Sequence, residues 1–133
     1  MKKLIELIRR ARFVFICGNG GSNSTAEHFA EDLFSKGVKA INLGSNSSLI
    51  TMIANDFGYK FIYSKQLGIY ASKEDLLITI SCSGTSENIR AAVGTAKLMG
   101  MKHYEFETFS KDRNYEKLEN KHLTFAHKIK KLI

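Results

Sequence analysis

Apolar and polar positions along the chain change period several times, and each change marks an element. Phe13-Val14-Phe15-Ile16-Cys17 is an unbroken apolar run of strand length. The glycine-rich stretch Gly18-Asn19-Gly20-Gly21-Ser22 follows, and then Asn23 to Ser35, where Ala26, Phe29, Ala30, Leu33 and Phe34 recur at helical spacing. Gly37 is placed to cap the end of that helix. Val38 to Leu43 reads as a second strand, and the polar turn Gly44-Ser45-Asn46-Ser47-Ser48 caps a helix through Leu49, Ile50, Met52 and Ile53. Asn55-Asp56-Phe57-Gly58 ends it, and Phe61 to Ala71 reads as helical. Leu76 to Ser81 is a third apolar strand, and Thr85 to Met99 a helix with Ile89, Ala92, Val93 and Ala96 facing inward. Tyr104, Phe106 and Thr108 alternate with His103, Glu105 and Glu107 as a strand with one polar face. In the last helix Leu118, His122, Phe125, Ile129 and Leu132 share a face.

Strands that alternate with helices spell βαβ units, and parallel strands need such crossovers. The expected fold class is therefore α/β with a mainly parallel sheet, its ligands bound outside the carboxyl ends of the strands. The 133 residues suit one domain, residues 1–133, with a single core. Apolar residues at 44% and charged ones at 25% exclude disordered and collagen-like classes. No run of about 18 apolar residues occurs, and Met1 to Arg10 is amphipathic and basic without a cleavage-like region, so we expect a cytoplasmic protein without a membrane partner. Cys17 and Cys82 have no CxxC spacing and are expected to be reduced. The net charge of +7 fits phosphorylated small molecules as well as nucleic acid. The basic residues lack the interleaved aromatics of a single-strand binder, which argues against a nucleic-acid partner.

Two loops carry chemistry. Gly18 to Ser22 turns a buried strand into a helix, where glycines allow close backbone approach and the helix start offers N–H groups and a positive dipole end to a phosphate. Ser81-Cys82-Ser83-Gly84-Thr85-Ser86 stands at the equivalent junction after the third strand, with short hydroxyls that donate to phosphate oxygens. Capping alone explains one such loop; two at equivalent strand ends point to a shared site.

Together these residues resemble the sugar isomerase (SIS) domain, and within it the phosphoheptose isomerase group. The resemblance rests on Cys17-Gly18-Asn19-Gly20-Gly21-Ser22, Ala26-Glu27-His28-Phe29-Ala30-Glu31-Asp32-Leu33, Asn55-Asp56-Phe57-Gly58 and Ile80-Ser81-Cys82-Ser83-Gly84-Thr85-Ser86-Glu87-Asn88-Ile89, and covers roughly residues 13 to 102 in order. It implies a flavodoxin-like three-layer sandwich, a homodimer or homotetramer with sites between subunits, and aldose–ketose isomerisation of a sugar phosphate, here sedoheptulose 7-phosphate, that supplies heptose for surface polysaccharide. A weakly active or silent domain that binds a sugar phosphate or a protein partner for regulation is the alternative.

The same resemblance places Ser81, Cys82, Ser83 and Ser86 at the phosphate, with Cys82 where the group commonly has threonine. It places Asn19 and Ser22 at the sugar or its phosphate, and Asp56 near the substrate. Moving a proton between neighbouring carbons needs a base within hydrogen-bond reach. The aligned base is Asp32, where the family has glutamate, and helical spacing sets it on one face with His28 while Glu31 points away. Aspartate is one methylene shorter, and a misplacement of about 1 Å costs ~100-fold in rate. His127, in Glu119-Asn120-Lys121-His122-Leu123-Thr124-Phe125-Ala126-His127, aligns with the catalytic histidine and is suited to be the second acid or base. Glu119 replaces a glutamine of the family. No cofactor is required, yet some members bind zinc, and His28, Asp32, Glu119 and His127 are the ligand types for it. The chain departs from the family in a short first helix and in the compressed segment between Met101 and Lys117.

Overall fold

The computed structural model describes residues 1–109, 111 and 113–133; Ser110 and Asp112, in the compressed segment, lie outside the described residues. Four strands form one parallel sheet: β1 (Val14–Gly18), β2 (Ala40–Asn42), β3 (Leu76–Ile80) and β4 (Lys102–Glu105), in the order β2-β1-β3-β4. The helices are α1 (Lys2–Arg10), α2 (Gly21–Phe34), α3 (Ser47–Asp56), α4 (Ser64–Tyr70), α5 (Glu87–Leu98) and α6 (Tyr115–Leu132).

The central strands β1 and β3 are buried along their whole length, which is why they read as continuous apolar runs. Their alternate residues feed two separate cores. Val14, Ile16, Leu76, Ile78 and Ile80 pack against Leu4 and Ile8 of α1, Phe29 and Leu33 of α2, and Ala126 and Ile129 of α6. Phe15, Cys17 and Leu77 face the other way, against Ile53 of α3, Leu67 of α4, and Ile89, Ala92 and Val93 of α5. The result is a three-layer sandwich with α1, α2 and α6 on one face and α3, α4 and α5 on the other.

The local signals behave as their chemistry dictates. Gly37 has φ 78°, and the bonds Gly37 N–H to Phe34 O and Val38 N–H to Leu33 O close α2 with a Schellman motif. The expected helix over Phe61 to Ala71 is instead a 3₁₀ turn at Tyr59–Phe61 followed by α4, because Gly58 enters at φ 111° and Tyr63 and Gln66 are drawn inward. The expected alternation through Thr108 ends as a strand at Glu105. Beyond it Phe106 N–H still bonds Thr79 O and Phe109 N–H bonds Cys82 O, so the compressed segment runs along the end of β3 toward the second loop.

The order β2-β1-β3-β4 reverses direction between β1 and β3. Such a switch point opens a crevice at the strands' carboxyl ends, where open α/β sheets bind ligands. Both chemical loops follow these two strands.

Candidate functional site

The loops after β1 and β3 meet in one cleft of about 100 Å³, lined by Asn19, Ser22, Ser81, Cys82, Ser83, Ser86, Tyr115 and Glu119. Six of these residues are the ones expected to touch the substrate and its phosphate. Asp56 is not among the lining residues: it sits exposed at the end of α3, accepting a hydrogen bond from Asn55 Nδ2.

Of the six helices among the described residues, α1, α2, α4 and α5 start without a side-chain cap. The residues that open α3 and α6, Asn46 and Asn114, cap them with side-chain oxygens. Gly20 and Ser86, which open α2 and α5 at the cleft, give no side-chain cap. In α2 the N–H groups of Ser22 and Asn23 bond Asn19 O and Gly20 O, which leaves the first turn of α5, at the positive end of its dipole, as the helix start suited to bind an anion. Gly18 makes this convergence possible, since a Cβ there would lie 2.6 Å from Ser22 O and 2.8 Å from Ile80 O.

Asn19 is fixed by a reciprocal amide pair with buried Asn88, each Nδ2 donating to the other's Oδ1 at 2.8 Å. Tyr63 donates its hydroxyl to Gly18 O and lies 3.4 Å from Asn19 Oδ1. Burial, with Cys17 and Tyr59 nearby, pushes the Tyr63 phenol far above its ordinary range, so it stays a donor. Asn88 stands two residues past the hydroxyl loop, a position that carries no chemical signal of its own in the sequence. Burial also raises the Cys82 thiol, Ser22 acting the other way and Glu119 adding to the rise, so Cys82 sits neutral in the cleft.

Glu119 supplies a negative charge. Its carboxylate lies over Gly21, where a Cβ would come within 2.6 Å of Oε1, and thus at the start of α2. A carboxylate there complements the helix dipole. It also opposes an incoming anion.

Helices α2 and α6 run parallel, and three pairs advance together along them: Gly21 with Glu119, His28 with His127, and Asp32 with Lys130. His28 Nε2 and His127 Nε2 are 3.0 Å apart, and His28 Nε2 is 3.6 Å from Asp32 Oδ2. Asp32 is buried, whereas Glu31 is exposed, as the helical spacing predicts. Its Oδ1 accepts from Lys130 Nζ at 2.5 Å, and its Oδ2 has no hydrogen-bond partner among the described residues.

His28, Asp32 and His127 each offer one ligand atom within 4.8 Å of the others, and Glu119 is outside that group. Tetrahedral zinc with bonds of about 2.0–2.1 Å spaces neighbouring ligands about 3.3 Å apart, and the observed 3.0 and 3.6 Å bracket that value. The residues fit a divalent cation. His122 is different in kind: it is buried, bonded through Nε2 to Glu107 O, and packed edge-on to Phe106. Burial holds its imidazole below the usual histidine range, so it is a neutral core residue.

The sheet order and the position of the cleft define an open, doubly wound α/β domain with its binding crevice at the β1/β3 switch point. The chain belongs to the SIS domain family, whose profile matches residues 1–104. It is 45% identical over 105 residues to the phosphoheptose isomerase of Helicobacter pylori strain P12, covering 74% of this chain and 55% of that protein. It is 40% identical over 106 residues to the phosphoheptose isomerase of Fusobacterium nucleatum, covering 75% and 54%. The chain thus spans about half the length of the curated relatives it matches. The fold superposes on the solved phosphoheptose isomerases of Francisella tularensis (TM-score 0.90, 25% identity, 98% of this chain and 82% of that one) and Neisseria gonorrhoeae (0.88, 26%, 98% and 80%). Among the described residues no helix is long and apolar enough to cross a membrane.

Proposed function

We propose that the chain is a phosphosugar isomerase of the phosphoheptose isomerase type, interconverting sedoheptulose 7-phosphate and the corresponding aldose heptose 7-phosphate and supplying heptose for surface polysaccharide. The observation that carries this reading is the spacing of two chemistries along one helix pair. From Ser22 to His28 on α2, and from Glu119 to His127 on α6, the rise is roughly 9–12 Å. An extended sugar phosphate of several carbons spans that length, with its phosphate at one end and its reacting carbons at the other.

Ser81, Ser83, Ser86 and the first N–H groups of α5 hold the phosphate, while Asn19 and Ser22 hold sugar oxygens. Asp32 and His127 move protons. A base takes the proton from C1 of the ketose, the resulting enediol is protonated at C2, and a proton passes between the two oxygens, so the sugar keeps its composition. The unpartnered Asp32 Oδ2 is suited to take the carbon-bound proton, and His127 to serve the oxygens. A divalent cation such as zinc would be held by His28, Asp32 and His127 and would supply positive charge at the reacting end, in competition with the proton-moving roles of Asp32 Oδ2 and His127.

A homo-oligomer completes the reading. Phe34, Ile69 and Leu98 are large apolar residues more than 70% exposed, surfaces that association between copies covers.

Calorimetry with sedoheptulose 7-phosphate and its unphosphorylated form, beside NMR detection of aldose product, tests the proposal. We expect saturable binding of the phosphate ester only, with turnover, and binding weakened about tenfold or more in Ser83→Ala or Ser86→Ala. Binding without turnover would leave a regulatory sugar-phosphate domain instead.

A further inference from the structure

Lys130 belongs to none of the motifs that the sequence offers. It lies one turn beyond His127 on α6 and reaches across to α2, where its ammonium holds Asp32 Oδ1 at 2.5 Å. The side chain is 39% exposed, while that of Asp32 is 5% exposed. The carboxylate is thereby divided: Oδ1 is engaged by Lys130, and Oδ2 alone faces the two imidazoles.

We propose that Lys130 is a built-in counter-charge that tunes divalent-cation binding at His28, Asp32 and His127. This rests on the reading of those three residues as a cation site. Lys130 acts in two ways. It restricts Asp32 to a single ligand oxygen, so a cation cannot take the carboxylate in bidentate fashion. It also places a fixed positive charge beside the ion's position, where repulsion lowers affinity. In the cation-free protein the same ammonium balances a buried carboxylate whose other contact is His28 at 3.6 Å, and a buried carboxylate left without its counter-charge is strongly destabilising. Lys130 and the cation therefore compete to neutralise Asp32. Lys36 and Lys131, which line the open hollow beside His127 and Lys130, add a positive background that remains when Lys130 is replaced.

The test is titration of the full chain with Zn²⁺ against a chromogenic chelator, for wild type, Lys130→Gln, Lys130→Met and Lys130→Arg, with thermal unfolding recorded for each. Lys130→Gln should bind zinc about tenfold tighter than wild type, as expected when a like charge is removed at short range. Lys130→Arg, which keeps the charge, should match wild type. Without metal, Lys130→Gln should melt below wild type, and saturating zinc should raise its Tm by more than it raises the wild-type Tm, since tighter binding to the folded state stabilises it further. Lys130→Met keeps the aliphatic stem and repeats the test should the glutamine variant fold poorly. Zinc affinity that is unchanged or weaker in both neutral variants overturns the proposal. Absence of zinc binding in wild type and variants alike also overturns it, and sedoheptulose 7-phosphate titration of the same samples shows separately whether the phosphate cleft stands.

Discussion

His28 and His127, on two helices distant in sequence, turn their Nε2 atoms toward each other at 3.0 Å. At that distance one imidazole donates and the other accepts. His28 Nε2 lies 3.6 Å from the buried Asp32 Oδ2, and His127 within 4.8 Å of it.

Replacing His127 by alanine removes one of the two proton-moving groups but none of the cleft. Turnover of the sugar phosphate should fall by about 10²–10⁴-fold, the usual contribution of positioned acid–base groups. Its dissociation constant should change by less than threefold, roughly. Steady-state kinetics beside calorimetry reads both, and a large loss of affinity would assign His127 to binding instead.

Glu119 places a carboxylate in a cleft otherwise lined by hydroxyls, amides and a neutral thiol. Glu119→Gln keeps the shape and removes the charge. Affinity for the phosphate ester should rise by about three- to tenfold, since a like charge near a bound anion is costly. Unchanged affinity would mean that the phosphate lies elsewhere.

The pH dependence of stability follows from His122. Burial depresses its folded pKa below the ordinary value of about 6.5, so the unfolded chain binds a proton that the folded one refuses. Stability is therefore lost as pH falls through the unfolded value, and His103, depressed by burial and by Lys97 and Arg90, contributes in the same direction. Urea unfolding between pH 8 and 5 should show wild type losing more stability than His122→Gln. A pH-independent difference between them would refute this.

Gly18 is a position where space decides. Alanine there meets two backbone carbonyl oxygens at under 3 Å, neither of which belongs to a flexible side chain. We expect a loss of about 1–3 kcal/mol, or failure to fold, measured by chemical denaturation. Gly37→Ala has open space around it and only the left-handed φ to oppose it, so it should cost less.

Much of the fold was legible because its signals are local. The continuous apolar runs of β1 and β3 announce strands buried on both faces, and the glycine and hydroxyl loops stand directly after them. The spacing of His28 and Asp32 correctly excluded Glu31 from their face. What escaped depends on packing between distant elements. The parallel register of α2 and α6 sets Lys130 on Asp32 and carries Glu119 to Gly21, away from the histidines with which its residue type had grouped it. No periodicity within one helix encodes that register. The amide pair of Asn19 and Asn88 is likewise a contact across the switch point, formed by loops whose sequences say nothing about each other.

The most direct measurement is proton NMR of sedoheptulose 7-phosphate incubated with the protein in D₂O. Proton transfer through an enediol predicts that solvent deuterium enters the carbon next to the carbonyl as aldose forms, in wild type and about 10²–10⁴-fold more slowly in His127→Ala. A sugar phosphate that binds saturably yet shows neither aldose nor deuterium at C1 or C2 would contradict the isomerase assignment.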